Sequence, residues 1–407
     1  MRYGYQSYFR DTVPVSRYDD DFCAKYNVRT DLALEATEVI VEREGPPEIP
    51  GVVVENEETE YAKINRTRVE TEAGARALGK VRGSYVTIES SALREHNRNI
   101  QLEISELIAQ ELETFLKDID EEDPVLVVGL GNWNATPDAL GPRVIDKLLV
   151  TRHLFTLAPP EMRGGLRPVA ALAPGVLGIT GIETGETIQG VVEKIKPKMI
   201  ICIDALASRS TERLCTTTQI ADTGIHPGSG IGNMRLGITP QTMGVPVVAI
   251  GVPTVIHAVT LVSDGMEMIT RAGESQPVAQ TDTILEQPVP QTVDSHSSVL
   301  DPSHIHMAAD PGVSMEAGSQ STYVDGASQS KMKQLGRRLA VQGAPAVDDM
   351  TKRRVLRQLL EPFMGTMVVT PKEIDVLMAD AAWVLAAGLN IALHPGMDAE
   401  QAAQYTL

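Results

Sequence analysis

Asp138 and Asp204 are the residues of this chain whose type and setting fit hydrolysis. Asp138 lies near the end of the stretch Val125–Gly141, VLVVGLGNWNATPDALG. Its apolar start reads as a buried strand, Gly129-Leu130-Gly131-Asn132 as a tight turn, and Thr136-Pro137-Asp138 as a helix start. A second apolar run, Met199–Ile203, ends on Asp204. Parallel α/β sheets place their sites at the carboxyl edge of the strands, so both acids are expected there. Two nearby carboxylates resist joint ionisation and can share one proton. One then deprotonates water while the other protonates the oxyanion or the leaving amine, which is peptide hydrolysis. Each acid also has a plainer role. Asp138 in a first helical turn would complement the helix dipole by about 0.3–1 kcal/mol, and Asp204 would serve as a helix N-cap.

The glycines invite a rival reading as a dinucleotide site. Gly129-x-Gly131 supplies two glycines of the fingerprint, but Asn134 holds the third position, and Asp138 would set negative charge where a phosphate must lie. A second glycine-rich loop, His226-Pro227-Gly228-Ser229-Gly230, is not a nucleophile elbow, because Pro227 occupies the required first glycine position. It reads as a loop supporting the site or as a turn. His226 and His257 are the histidines near the expected sheet edge; either could complete a metal site with the acids, but no spacing demands it, and no metal or other cofactor is expected. His304-x-His306 lies in a low-complexity stretch and reads as solvent-exposed.

The elements that must position the acids follow from pattern. Val52–Val54, Lys63–Val69 and Tyr85–Ile88 read as short strands, and Asn99–Leu116 as an amphipathic helix. Strand Val125–Leu130 then precedes a helix from Asp138 to about Val150. Strand Pro168–Leu172 precedes a helix from about Glu186 to Ile195. Strand Met199–Ile203 follows, and strand Val247–Val252 leads to a helix near Ile256–Ile269. This alternation predicts an α/β fold with a mostly parallel sheet flanked by helices, to which the early strands add short antiparallel pieces. Residues 272–345, rich in Gln, Ser, Asp, Pro and Gly, read as a long mobile insertion. Helices resume at Asp348–Leu360 and at Pro371–Ala387, with Gly388 as a helix end.

With 407 residues the chain can bury a large core. Its net charge of -18 argues against nucleic acid as the main partner. Three cysteines without paired spacing, no apolar signal segment and no apolar run long enough for a bilayer lead to the expectation of a reducing, cytosolic compartment and no membrane partner.

Several ordered motifs resemble one family, the germination proteases of spores. They include Val28-Arg29-Thr30-Asp31-Leu32-Ala33, Gly129-Leu130-Gly131-Asn132, Thr136–Pro142, Thr151–Phe155, Gly181–Thr184, Ile203–Ala207, Gly224–Gly230 and Val369–Glu373. The resemblance runs from about Tyr26 to His394. It implies an atypical aspartic endopeptidase that degrades small acid-soluble spore proteins during germination, with Asp138 and Asp204 as the catalytic pair. It also implies a self-processing zymogen, a homotetramer, and residence in the cytoplasm of the forespore and the spore core. A more distant similarity links Gly129, Gly131, Asn132, Asp138 and Gly141 to the hydrogenase maturation endopeptidases, whose fold is implied and whose acid helps bind nickel.

Thr30–Ala36 is similar to the family's cleavage pattern, Thr, acid, apolar, Ala, any, Glu, apolar. That implies a cut between Asp31 and Leu32. The expected organisation is a propeptide over 1–31, a first catalytic part over 32–271, the insertion over 272–345 and a C-terminal helical part over 346–407. Two rivals remain open: a metal-dependent peptidase of similar fold, and a non-catalytic protein that binds small spore proteins.

Overall fold

The computed structural model describes residues 30–44, 49–226 apart from 160 and 162, 236–265 apart from 259, 263 and 264, and 367–406. The chain divides into two units, 1–265 with 355–407, and 266–354; the second lies wholly outside the described residues. So do residues 1–29, the expected insertion 272–345 and the expected helix Asp348–Leu360.

The chain enters through helix α1 (Ala33–Glu44), then β1 (Val52–Glu58), β2 (Lys63–Val69), α2 (Glu72–Leu78), β3 (Gly83–Glu89) and α3 (Arg98–Leu116). The central part follows as β4 (Val125–Gly129), α4 (Leu140–Lys147), α5 (Arg152–Leu157), β5 (Val169–Leu172), α6 (Leu177–Thr180), α7 (Thr184–Ile195) and β6 (Met199–Ser208). Next come β7 (Thr217–Ala221), α8 (Pro240–Met243), β8 (Val247–His257), β9 (Val368–Val369), α9 (Ile374–Leu393) and α10 (Ala399–Tyr405). Nine strands form one sheet in the order β1-β2-β3-β7-β8-β6-β4-β5, with β9 on β8. The block β8-β6-β4-β5 is parallel; the β1-β2-β3-β7 side is joined to it antiparallel.

The central strands are apolar at nearly every position because both faces are covered. Val125, Val127, Ile201, Ile203, Val248 and Ile250 pack on one face with residues of α3, α4 and α9. Leu126, Val128, Ile200 and Cys202 pack on the other with Ile188 of α7. Cys202 and Cys215 are free, buried thiols; burial raises the Cys202 thiol above its ordinary range and pushes Cys215 up to about 12. Neither is suited to act as a thiolate nucleophile.

Three expectations are corrected. The helix expected over Pro371–Ala387 with Gly388 at its end begins at Ile374 and runs through Gly388 to Leu393. Gly388 is there for close approach: a Cβ on it would lie 2.9 Å from the Ser105 carbonyl oxygen of α3. This 20-residue helix is also long and apolar enough to cross a membrane, contrary to the sequence reading; 72% of its apolar window is buried inside the protein, so its apolarity serves the core. Finally, the helix expected near Ile256 starts only at Ala258, because β8 runs on past Val252. The strand continues to His257, because β6 on one side and β9 on the other keep it paired.

Candidate active site

From β4 the chain passes outward to β5 and returns through α7 to β6 on the other side of β4. The strand order reverses there, and in open α/β sheets the carboxyl ends of two such strands, here β4 and β6, are where sites are placed. The parallel ladder between them ends at Gly129 against Ile203. Asp204 is the next residue of β6.

Asp204 is therefore not the end of its strand. The chain stays extended through Ala205–Ser208, with Asp204 in register with Gly251 of β8. This removes the N-cap role. Asp204 is 9% exposed, and its Oδ1 accepts the amide of Ala205 at 2.9 Å. Asp138 is half-buried and ends a single 3-10 turn, Thr136–Asp138, rather than lying in the first turn of α4. Pro137 fixes the backbone angle of that turn, and the Asp138 amide donates to the Ala135 carbonyl at 2.7 Å.

The glycine turn joins the two acids. The Leu130 amide donates to the Ile203 carbonyl at 2.8 Å, one residue before Asp204. Two residues on, the Asn132 amide donates to the Asp138 carbonyl at 2.9 Å. Leu130-Gly131-Asn132 thus bridges the backbone of one acid to that of the other. Gly131 has φ +114, and a Cβ on it would lie 2.0 Å from the Asp138 carbonyl and 3.2 Å from Asp138 Oδ1. A Cβ on Gly129 would lie 2.3 Å from the Gly141 carbonyl. The glycine spacing that resembled a phosphate cradle makes room for the protein's own backbone.

His226 is exposed, and its ring packs against Gly237, where an added Cβ would lie 2.5 Å from Nδ1. Ile225 beside it bridges to Ile238, which shares a core cluster with Val128 and Leu130. Gly228 lies outside the described residues. His257 is fully buried at the end of β8. Among the described residues no three His, Cys, Asp or Glu side chains gather into a group able to hold a metal.

The matching family model is germination protease, over residues 33–285 and 311–406. The chain belongs to the germination protease family. Among its relatives, the germination protease of a Geobacillus strain is 43% identical over 389 residues, covering 94% of this chain and 97% of the relative. That of Priestia megaterium is 42% identical over 389 residues, covering 94% and 98%. A solved hydrogenase maturation protease from Thermococcus kodakarensis is 20% identical, covering 35% of this chain and 80% of its own, at a TM-score of 0.24, too low to bear on chemistry. The family is one of peptidases acting in spore germination, so the hydrolytic reading of the sequence holds.

Downstream on β6 lies the expected cleavage segment. The Asp31 amide donates to the Ala207 carbonyl at 2.9 Å, and the Ala207 amide returns a bond to Asp31 Oδ2 at 2.8 Å. The Asp31 carbonyl accepts Lys80 Nζ and Gln219 Nε2, both at 3.1 Å. Leu32 is fully buried. The Glu35 carboxylate, 1% exposed, accepts the amides of Arg209 at 2.7 Å and Ser210 at 2.9 Å, and lies 3.3 Å from the Arg213 guanidinium. The Asp31–Leu32 junction, where the sequence places the expected cut, is a docked segment. Lys80, Gln219 and Arg213 carry no motif, and pattern reading missed them.

Proposed function

We propose that this chain is an endopeptidase that begins the degradation of small acid-soluble spore proteins, with Asp138 and Asp204 as its catalytic pair. The observation that carries this reading is the glycine turn, whose amides hold the backbones of both acids at the carboxyl ends of β4 and β6. In the proposed reaction one carboxylate, ionised, takes a proton from water as it attacks the peptide carbonyl. The other, protonated, donates to the carbonyl oxygen. The proton taken from water then passes to the leaving amine. Gly129, Gly131 and Asn132 shape the turn between the acids, and His226 is a supporting residue of the site.

The same reading includes a zymogen cut between Asp31 and Leu32, assembly as a homotetramer, and residence in the cytoplasm of the forespore and spore core. In the docked state Asp31 pairs with Ala207, three residues from Asp204, or about 10 Å along an extended strand. Cleavage therefore requires residues 30–32 to leave Ala207 first.

The test uses Asp138→Asn and Asp204→Asn with a purified small acid-soluble spore protein. Both variants should fold and lose cleavage by about 10²–10⁴-fold or more, since each removes half of an acid–base pair. Full turnover by either folded variant defeats the assignment. N-terminal sequencing of the processed wild type should begin Leu32-Ala33-Leu34.

A further inference from the structure

We propose that Thr254 is a positioning residue that fixes Asp138 relative to Asp204. The proposal rests on the reading of those acids as the catalytic pair, and its own warrant is the bulge in β8. Leu206 of β6 faces Pro253 and Ala207 faces Val255, so Thr254 is the extra residue between them, outside the ladder. An extra residue in a strand re-aims its side chain, and such bulges occur next to active sites. Here the Thr254 hydroxyl leaves the β6–β8 pairing and donates to the Pro137 carbonyl at 2.6 Å. Pro137 directly precedes Asp138. Thr254 is fully buried and Pro137 partly so, so the hydroxyl has this carbonyl rather than bulk water as its partner.

The geometry makes Thr254 the second tether of the acid-bearing turn. The first runs from β4, through Gly131 and Asn132, to the Asp138 carbonyl. The second runs from β8, the strand that also pairs with Asp204 through Gly251. Asp138 is thereby referenced to the sheet on both sides of Asp204. The tether is itself braced: the Thr370 hydroxyl donates to the Thr254 carbonyl at 2.9 Å, just after β9 adds to β8. The C-terminal chain thus supports the site without supplying either acid.

The test compares full-length wild type, Thr254→Val and Thr254→Ser on a purified small acid-soluble spore protein, at matched N-terminal processing and per folded molecule. Valine keeps shape and removes the hydroxyl. Misplacing a reacting group by about 1 Å can cost about 10²-fold, so kcat for Thr254→Val should fall about 10–100-fold while KM stays within about 3-fold. Thr254→Ser should recover most of kcat. The proposal is overturned by wild-type kcat in folded Thr254→Val, by a serine variant no better than valine, or by a loss that only tracks the folded fraction. Asp138→Asn is assayed alongside. If it is active, the pair itself is misassigned; if it is dead while Thr254→Val is fully active, only the tether fails.

Discussion

Two pairs of carboxylates lie along β6, and their surroundings differ. Asp138 and Asp204 lie at the carboxyl ends of β4 and β6, held by backbone: the Leu130 and Asn132 amides and the Thr254 hydroxyl fix the main chain around them. Asp31 and Glu35, at the far end of the strand, are held by their charges. Asp31 takes the Ala207 amide, while Glu35 takes two amides and the Arg213 guanidinium, which also pairs with Glu38 and Glu89. A carboxylate whose charge is matched by fixed donors is tied into the fold. Around Asp138 and Asp204 the main chain itself is fixed, and Asp204 Oδ1 also accepts the Ala205 amide at 2.9 Å. The same residue type thus anchors a segment in one place and forms the proposed catalytic pair in the other.

The strongest way to break the contrast is Gly131→Ala. Its Cβ would strike the Asp138 carbonyl, and φ +114 is a conformation that alanine rarely adopts. Cleavage by folded enzyme should fall by about 10²-fold or more, because the turn that joins the acids must shift. Wild-type turnover would show that the turn does not set the pair.

Arg213→Leu attacks the other pair. It strips the cation from a carboxylate that is 1% exposed. Removing one partner of a buried pair costs about 3–5 kcal/mol, and the two remaining amides place the expected loss near the lower bound. Denaturant unfolding should show it, with kcat per folded molecule changed by less than about 3-fold, well under the displacement effect above. A large kcat loss without a stability loss would move Arg213 into the reaction.

A pH–stability scan of either variant carries a third contribution, from His394. Its Nδ1 accepts the Arg167 amide at 3.2 Å and its Nε2 donates to the Leu149 carbonyl at 3.1 Å. Burial holds this imidazole below its ordinary value of 6.5. The unfolded chain takes up the proton first, so stability should fall as pH drops below about 6.5 and level off below the folded value. His394→Gln should flatten that part of the curve. An unchanged slope would show that another group produces it.

The smallest effect should come from β1, which has neither pair. Val53 is exposed on this edge strand. Val53→Thr should change stability by less than about 0.5 kcal/mol and leave cleavage untouched. A drop of several-fold in activity would make this edge part of the working enzyme.

What the sequence determined by itself was local. An apolar run broken by Gly129, Gly131 and Asn132 and restarted at Pro137 can only be strand, turn and helix start, because each step depends on neighbours a few residues apart. A second apolar run leading into Asp204 placed the other acid at the same sheet edge. The tertiary structure decided what depends on distant chain. Asp204 stays in strand because β8 continues beside it, and no residue near Asp204 encodes that. Gly388 continues its helix because α3 presses on it from nearly three hundred residues away in sequence. Thr254 looks in sequence like any β-branched strand residue; only the offset between β6 and β8 turns its hydroxyl toward Pro137. The docking of Asp31 and Glu35 likewise depends on amides from 207–210, which become donors only once β6 has paired. Local pattern specifies the pieces and their polarity; the contacts that fix one acid against the other form between elements far apart in the chain, so only the fold shows them.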